Sequence, residues 1–414
     1  MTEAFESVRR NVRRTLGEYP RAFWMLSIVT FIDRLGGSLL FPFFALYITS
    51  KFGVGMTQVG VLFGFFSISS IVGGFLGGAA ADRLGRKGMI VFSLLATSFS
   101  SLAMGLAPTM AVFVGLALVV GVLTDMGGPA YQAMVADLLP EEKRSEGFGI
   151  IRVVFNLAVV IGPAVGGLLA TRSFLLLFIV DAVTSALTAA FAIVFLAETK
   201  PAAHPDAPKE TVWQTFRGYG QALRDSVFMA FVFACALQVL VYLQMNTSLP
   251  VYLRDQHGIS PQGYGWILSL NAAMVVLFQF GITRRIRGYP PMVIMAFGTA
   301  LYALGFGMYG FTATYVMFLL AMVVITIGEM LVAPVSQALV AQLAPEDKRA
   351  RYMATFGLAW IVPGAVGPVL AGMVMDYGDS RWVWYAAGLI GAVSAAMFLR
   401  LRSRVSDARE PAAA

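Results

Sequence analysis

Apolar residues run along the chain in blocks of roughly 20 or more, the length a helix needs to cross a bilayer. Short clusters of Gly, Pro and charged residues separate them. The pattern predicts twelve helical spans, at 22–50, 57–80, 88–107, 110–138, 148–170, 174–196, 227–253, 263–283, 291–311, 314–341, 352–374 and 381–400. Ahead of the first, Phe5, Val8, Val12 and Leu16 recur at helical spacing, with Arg9, Arg10, Arg13 and Arg14 between them. Residues 1–21 are therefore expected to form an amphipathic segment lying on an anionic membrane surface. No cleavage-type end follows the first block, which reads as a retained helix.

Composition excludes a water-soluble alternative. Hydrophobic residues make up 58% and charged residues 13%, with a mean hydropathy of +0.75. A soluble domain carries about 25% charged residues, so the outer surface has to face lipid. The net charge of +7 is a matter of topology. With the N-terminus inside, only Lys51, Arg172, Arg254 and Arg381 fall on outer segments, and Arg34 and Arg152 lie within spans. The remaining Lys and Arg lie on inner segments. By the positive-inside rule both termini are cytoplasmic and the protein is multi-pass in an inner membrane; no nucleic-acid partner is implied. One cysteine, Cys235, and two histidines, His204 and His257, leave no disulfide and no Cys/His metal site. No phosphate-binding loop of the G-x-x-x-x-G-K-[ST] type is present, and Gly305–Gly310 matches G-x-G-x-x-G inside an apolar run, where it carries no nucleotide. No nucleophile constellation suggests an enzyme.

The chain repeats itself at an offset of 205 residues. PAYQAMVADLLPEEKR from Pro129 answers PVSQALVAQLAPEDKR from Pro334. The same offset carries Gly162, Pro163 and Gly167 onto Gly367, Pro368 and Gly372, and Tyr47, Gly53 and Gly60 onto Tyr252, Gly258 and Gly265. The organisation is thus a six-helix half at 22–196, a polar, proline-containing linker at 197–226, a second half at 227–400 and a tail at 401–414. An even number of spans per half makes the repeats parallel, with a substrate site expected between them near the midplane.

Between the second and third spans stands GAAADRLGRK, Gly78 to Lys87. It resembles the loop signature of the major facilitator superfamily, G-x-x-x-D-R-x-G-R-K, at every fixed position. The resemblance implies a cytoplasmic latch made of Gly78, Asp82, Arg83, Gly85, Arg86 and Lys87, with Asp137 and Arg144. Gly85 suits a tight turn. Asp82 can cap a helix N-terminus or pair with Arg, and Asp137 is expected to pair with Arg83 or Arg144. The second-half copy is eroded, with Thr283 for Gly78 and Arg287 for Asp82. In the fifth span, Gly162, Pro163, Gly166 and Gly167 resemble the G-P-x-x-G-G motif of the antiporter branch. The intramembrane Arg of that branch's fourth-span motif is absent here, and Arg34 or Arg152 is the alternative.

Ionisable side chains at membrane depth are expensive and default to function. Asp33 and Arg34 lie in the first span, Asp125 in the fourth, Asp181 in the sixth and Glu329 in the tenth. Glu329 maps onto Thr124, the neighbour of Asp125, and Asp33 maps onto Gln238. The seventh span adds Tyr242, Gln244 and Asn246. Spans one, four, seven and ten line the central cavity in the proteins this chain resembles. Asp33, Glu329 and Asp125 are therefore expected to couple protons, and Arg34, Gln238, Tyr242, Gln244 and Asn246 to line a substrate cavity. The resemblance implies a monomeric drug:proton antiporter that exports lipophilic or cationic small molecules by alternating access. It would be driven by a proton gradient without a cofactor. Proton-linked uptake of a nutrient, or flipping of an amphiphilic lipid, are the alternatives.

Overall fold

The computed structural model describes residues 17–200, 222–345 and 349–407, so the basic segment before Gly17 and most of the expected linker lie outside the described residues. The expected all-helical architecture is observed: twelve helices are long and apolar enough to cross a membrane, and no strand occurs among the described residues. The first span is Arg21–Phe52 and the last Arg381–Arg402. Below, "proximal" means the end at which odd-numbered spans begin and even-numbered spans finish, and "distal" the other end.

Four spans are not continuous helices. The first is Arg21–Leu40, a 3-10 turn at Phe41–Phe43, then Phe44–Phe52. Pro42 supplies no N–H there, so the α-ladder lapses. The seventh breaks at the position the repeat dictates, Ser248, between Ser226–Thr247 and Leu249–His257. Both distal segments end on equivalent glycines in the left-handed region, Gly53 at φ 62° and Gly258 at φ 63°, a conformation costly for any residue with a Cβ. The fourth span lapses at Met126–Gly127 and the eleventh at Gly357, with helical dihedrals retained at Met126, Gly127 and Gly357.

The chain packs as two compact units that cut across the repeat. One holds residues up to Leu40, Ser69–Gly162 and the segment from Ser173 to the linker. Here the sixth span packs on the first and third, around a core that includes Phe23, Leu26, Met89, Leu94, Met134 and Ala189. The other holds Phe41–Ile68, Pro163–Arg172 and the second half of the chain. Here the twelfth span packs on the seventh and ninth, around Phe228, Phe231, Met295, Phe356 and Phe398.

Because the second unit includes the distal ends of spans one, two and five, contacts between the two repeats at that end lie inside it. A Cβ on Gly60 of span two would run into the Pro368 carbonyl of span eleven, and one on Gly265 of span eight into the Pro163 carbonyl of span five. One turn further, Gly372 meets the backbone of Met56 and Thr57, and Gly167 that of Pro261 and Gln262. The G-P motif of the fifth span and its copy in the eleventh are thus backbone-contact faces, of the kind small residues provide between membrane helices. One side carries an extra lock: the Asp376 carboxylate accepts from Met56 N and Thr57 N, each at 2.7 Å, capping the second span. Its repeat counterpart is Thr171, which hydrogen-bonds only within its own helix, to Leu168 O at 2.7 Å. Between the two sides, the Arg254 guanidinium donates to Thr49 Oγ1 at 3.0 Å and Ser50 Oγ at 2.7 Å.

Candidate functional site

Of the acids within the spans, Glu329 has the most developed surroundings. It is half-buried in the tenth span, Tyr315–Leu343. The Tyr242 hydroxyl of span seven donates to Oε1 at 3.2 Å, and Asn271 Nδ2 of span eight donates to Oε2 at 2.8 Å. Asn271 is itself fixed by Thr326 Oγ1 at 3.0 Å, whose own hydroxyl donates to Met322 O at 2.7 Å. Aromatic rings close around the tyrosine: Tyr302 lies 5.8 Å from it, centroid to centroid, and Trp360 meets it edge-on at 6.2 Å. Both carboxyl oxygens therefore accept from neutral donors, one of them a tyrosine packed against two further aromatic rings. Such a group can take up and release a proton, and the rings can share an organic cation with it.

Asn271 and Tyr302 were not among the residues singled out by sequence. Asn271 corresponds to Phe66 in the first repeat and Tyr302 to Thr97, so the repeat pairs neither with a residue of its own kind. The usable signal was an amide in the middle of an apolar run.

The unit that includes Arg21–Leu40 of the first span holds the other expected coupling residues. Arg34 Nε lies 3.8 Å from Asp33 Oδ2, and its guanidinium sits over Phe155 of span five, 5.5 Å from the ring centroid. Phe155 and Trp360 are repeat equivalents. Spans five and eleven therefore each carry an aromatic at this repeat position, beside a polar residue of span one and of span seven respectively. Asp125 is the last residue of the first segment of span four and is exposed, its Cβ next to Gly73. Arg152 is exposed on span five. Gln238 is buried and Asn246 half-buried. Gln244 differs from its expected cavity-lining role. It is buried, its Nε2 donates to Leu240 O, and its Oε1 accepts from Thr247 and from Ser248, which ties together the break in span seven.

The loop between spans two and three uses a residue that the sequence did not single out. Gly78, Asp82 and Arg83 belong to the helix Met56–Leu84, and their side chains lie outside the described set. Gly85 follows at φ 93°, and a Cβ there would strike the Glu198 carboxylate. Glu198, assigned by sequence to the linker, caps the third span: it accepts from Arg86 N at 2.8 Å and Lys87 N at 3.2 Å. Asp137 pairs with Arg86 at 3.3 Å, a partner the sequence did not suggest, and also accepts from Thr199 Oγ1; the expected alternative Arg83 has its side chain outside the described set. Arg144 instead donates to the carbonyls of Ala136 and Leu139, where the fourth span ends. Lys87 Nζ reaches Ile193 O at 2.7 Å.

Partial burial pushes the Glu198 carboxyl up. The N–H groups of Arg86, Lys200, Thr199 and Lys87 outweigh that and hold it below the ordinary glutamate range. A depressed pKa in the folded state means the contribution to docking is complete above the ordinary range. It is lost as the pH falls through the depressed value. Glu198→Ala is expected to lower the hydrogen-exchange protection factors of Arg86 N–H and Lys87 N–H at neutral pH, and acidifying the wild type is expected to lower them too once the slower intrinsic exchange is divided out. Unchanged exchange in the variant would mean that the cap contributes nothing.

Comparison with known proteins settles the family. The model described as Major Facilitator Superfamily matches residues 26–334 and 246–414. The chain belongs to that superfamily. A Na(+), Li(+), K(+)/H(+) antiporter of Planococcus maritimus is 30% identical over 390 residues, covering 87% of this chain and 91% of that protein. Multidrug resistance protein MdtH of Escherichia coli (strain SE11) is 26% identical over 408 residues, covering 96% of each. A POT family transporter crystallised with 5-aminolevulinic acid superposes with a TM-score of 0.78 at 17% identity, over 94% of this chain and 97% of that one. At that identity the likeness speaks for the superfamily fold alone. The protein is thus a multi-pass membrane transporter of this superfamily.

Proposed function

We propose that the protein is a proton-coupled antiporter that exports organic cations by alternating access. Its termini would lie in the cytoplasm and its distal face would be closed toward the outside. The observation that carries the reading is the setting of Glu329, a mid-span carboxylate held by Tyr242 and Asn271, with the Tyr242 ring itself packed against those of Tyr302 and Trp360. A carboxylate beside aromatic faces suits a lipophilic cation, which gains both charge neutralisation and ring contact. A proton and the cation would then exclude one another from the same carboxylate, and that exclusion is exchange. The excess of Lys and Arg on the proximal loops supports the orientation. Kinship to an antiporter and to a multidrug resistance protein supports the class.

A second reading, exchange of alkali cations for protons, is favoured by the relative from Planococcus maritimus. One experiment separates the two. For the purified protein in detergent, affinity for tetraphenylphosphonium is expected to weaken about tenfold per pH unit once the carboxyl protonates, with one proton released per cation bound. Tighter binding at low pH would overturn export by exclusion in favour of proton-linked uptake. Proton release driven by Li+, Na+ or K+ but not by tetraphenylphosphonium would install the alkali reading instead.

A further inference from the structure

Asp181 lies in the sixth span, outside the network around Glu329, and at 3% exposure it is the most deeply buried carboxyl among the described residues. Ser101 Oγ of the third span donates to its Oδ2, whereas Oδ1 has no hydrogen-bond partner. No Lys or Arg among the described residues lies within ion-pairing distance of it. Span one covers the carboxyl at Gly36, where a Cβ would stand 2.7 Å from Asp181 Oδ1 and 2.7 Å from Thr184 Oγ1. Glycine at that position is what lets the first span lie directly on the acid. Ser185, one turn along the same face of span six, is also buried with its hydroxyl unpartnered.

The charged groups on the elements packed against Asp181 are few. On span one, Asp33 stands one turn before Gly36 and is neighboured by Arg34 at 3.8 Å. On span three, Arg86 and Lys87 sit at the proximal end, held by Asp137 and by Ile193 O. None of these is a counter-ion for Asp181. An ionised carboxylate left without a counter-ion inside a membrane bundle costs far more than a neutral carboxyl with one unmade hydrogen bond.

We infer that Asp181 is a proton-binding site, neutral while span one covers it at Gly36 and ionised when span one withdraws. The means of withdrawal is in the sequence of the span itself, because the 3-10 turn at Phe41–Phe43 begins five residues beyond Gly36 and gives the proximal part of the helix a place to bend. The step is a simple protonation: the carboxylate takes a proton from the water that reaches it and becomes a carboxylic acid. Asp33 and Arg34 ride on the same helix, so movement of that pair and release of the Asp181 proton are one event. The transport consequence rests on the proton-coupled reading above; the protonation state does not.

The test uses the full-length protein in liposomes. The infra-red difference between wild type and Asp181→Asn at neutral pH is expected to contain the C=O stretch of a protonated carboxyl. Ser101→Ala, which keeps the acid but removes its donor, is expected to move that band to higher frequency. Absence of the band, or a Ser101→Ala spectrum with no carboxyl band shifted, overturns the inference. The second measurement also stands if Asp181→Asn fails to fold. Uptake of tetraphenylphosphonium into inside-out liposomes, driven by a pH gradient, is expected to fall by about an order of magnitude in Asp181→Asn with cation affinity retained. Wild-type drive with an unchanged pH profile would make the proton a fixed structural one and overturn the carrier role. Loss of drive in Glu329→Gln beside full drive in Asp181→Asn sinks this inference alone, whereas full drive in both sinks the antiport reading.

Discussion

Replacing Glu329 by Gln is expected to abolish uphill transport, with a loss of about 100-fold or more in pH-driven flux if the carboxylate is the shared site of proton and cation. Gln matches Glu in size, and its carbonyl can still accept from Tyr242 or Asn271, which donate at 3.2 and 2.8 Å in the wild type. Its NH2 would face the other donor, so one of the two hydrogen bonds is lost and the other kept. The fold should therefore survive, and a thermal unfolding scan would check that. What the variant cannot do is change charge. Removing one member of a buried charged pair costs about 2–5 kcal/mol, so tetraphenylphosphonium affinity at alkaline pH should drop steeply and lose its dependence on pH. If Glu329→Gln still concentrates the cation on a pH gradient with the pH slope intact, the carboxylate is not the coupling group. Asp33 and Asp125 would then be the next acids to substitute.

Gly60→Ala is expected to have an effect of similar size by an entirely different route. The added methyl would collide with the backbone carbonyl of Pro368, and a carbonyl has no rotamer to turn aside. Relief comes only from moving spans two and eleven apart. Overpacking of this kind costs about 1–3 kcal/mol, which is about 10- to 100-fold in an equilibrium between distal-closed and distal-open forms. Distances between spin labels at the distal ends of those spans should lengthen in Gly60→Ala, with transport reduced accordingly. The Asp376 cap on Met56 and Thr57 opposes the opening, so Gly60→Ala combined with Asp376→Asn should open further than either change alone. Unaltered label distances in the double variant would mean that this contact does not govern closure.

The twelve spans, the repeat and the superfamily could all be read from the sequence because each rests on a pattern that survives without coordinates. Length and hydropathy define a span, and identity at a fixed offset defines the repeat. Rotation of a span about its own axis is different. A helix of this class is apolar nearly all round, so periodicity does not say which way a lone polar residue faces. Gln244 looked like a cavity residue and turns out to tie the break in its own helix, and Asp181 faces the interior of its bundle. The role of Glu198 was hidden for a separate reason. Glu198 is distant in sequence from Gly85, and nothing in its neighbourhood marks it as the cap of the third span. That Arg86 pairs with Asp137 was not legible either, because several basic residues lie within a short reach and only side-chain geometry brings Arg86 to it.

The distal contacts also carry a record of ancestry. Gly60 with Pro368 and Gly265 with Pro163 are the same pair of positions used twice, once in each direction, and so are Met56 with Gly372 and Pro261 with Gly167. Arg254 bonds Thr49, its own counterpart at the 205-residue offset, as only a residue near a two-fold axis can. These are the marks of an isologous interface, the kind that joins two identical subunits. A six-span ancestor could have assembled as a homodimer through this surface, making every contact twice and obliged to change both copies at once. Fusion into a single chain lifts that obligation. A substitution at one position, such as Asp376 opposite Thr171, then strengthens one half of the interface and leaves the other as it was. A homodimer could never have held such an imbalance.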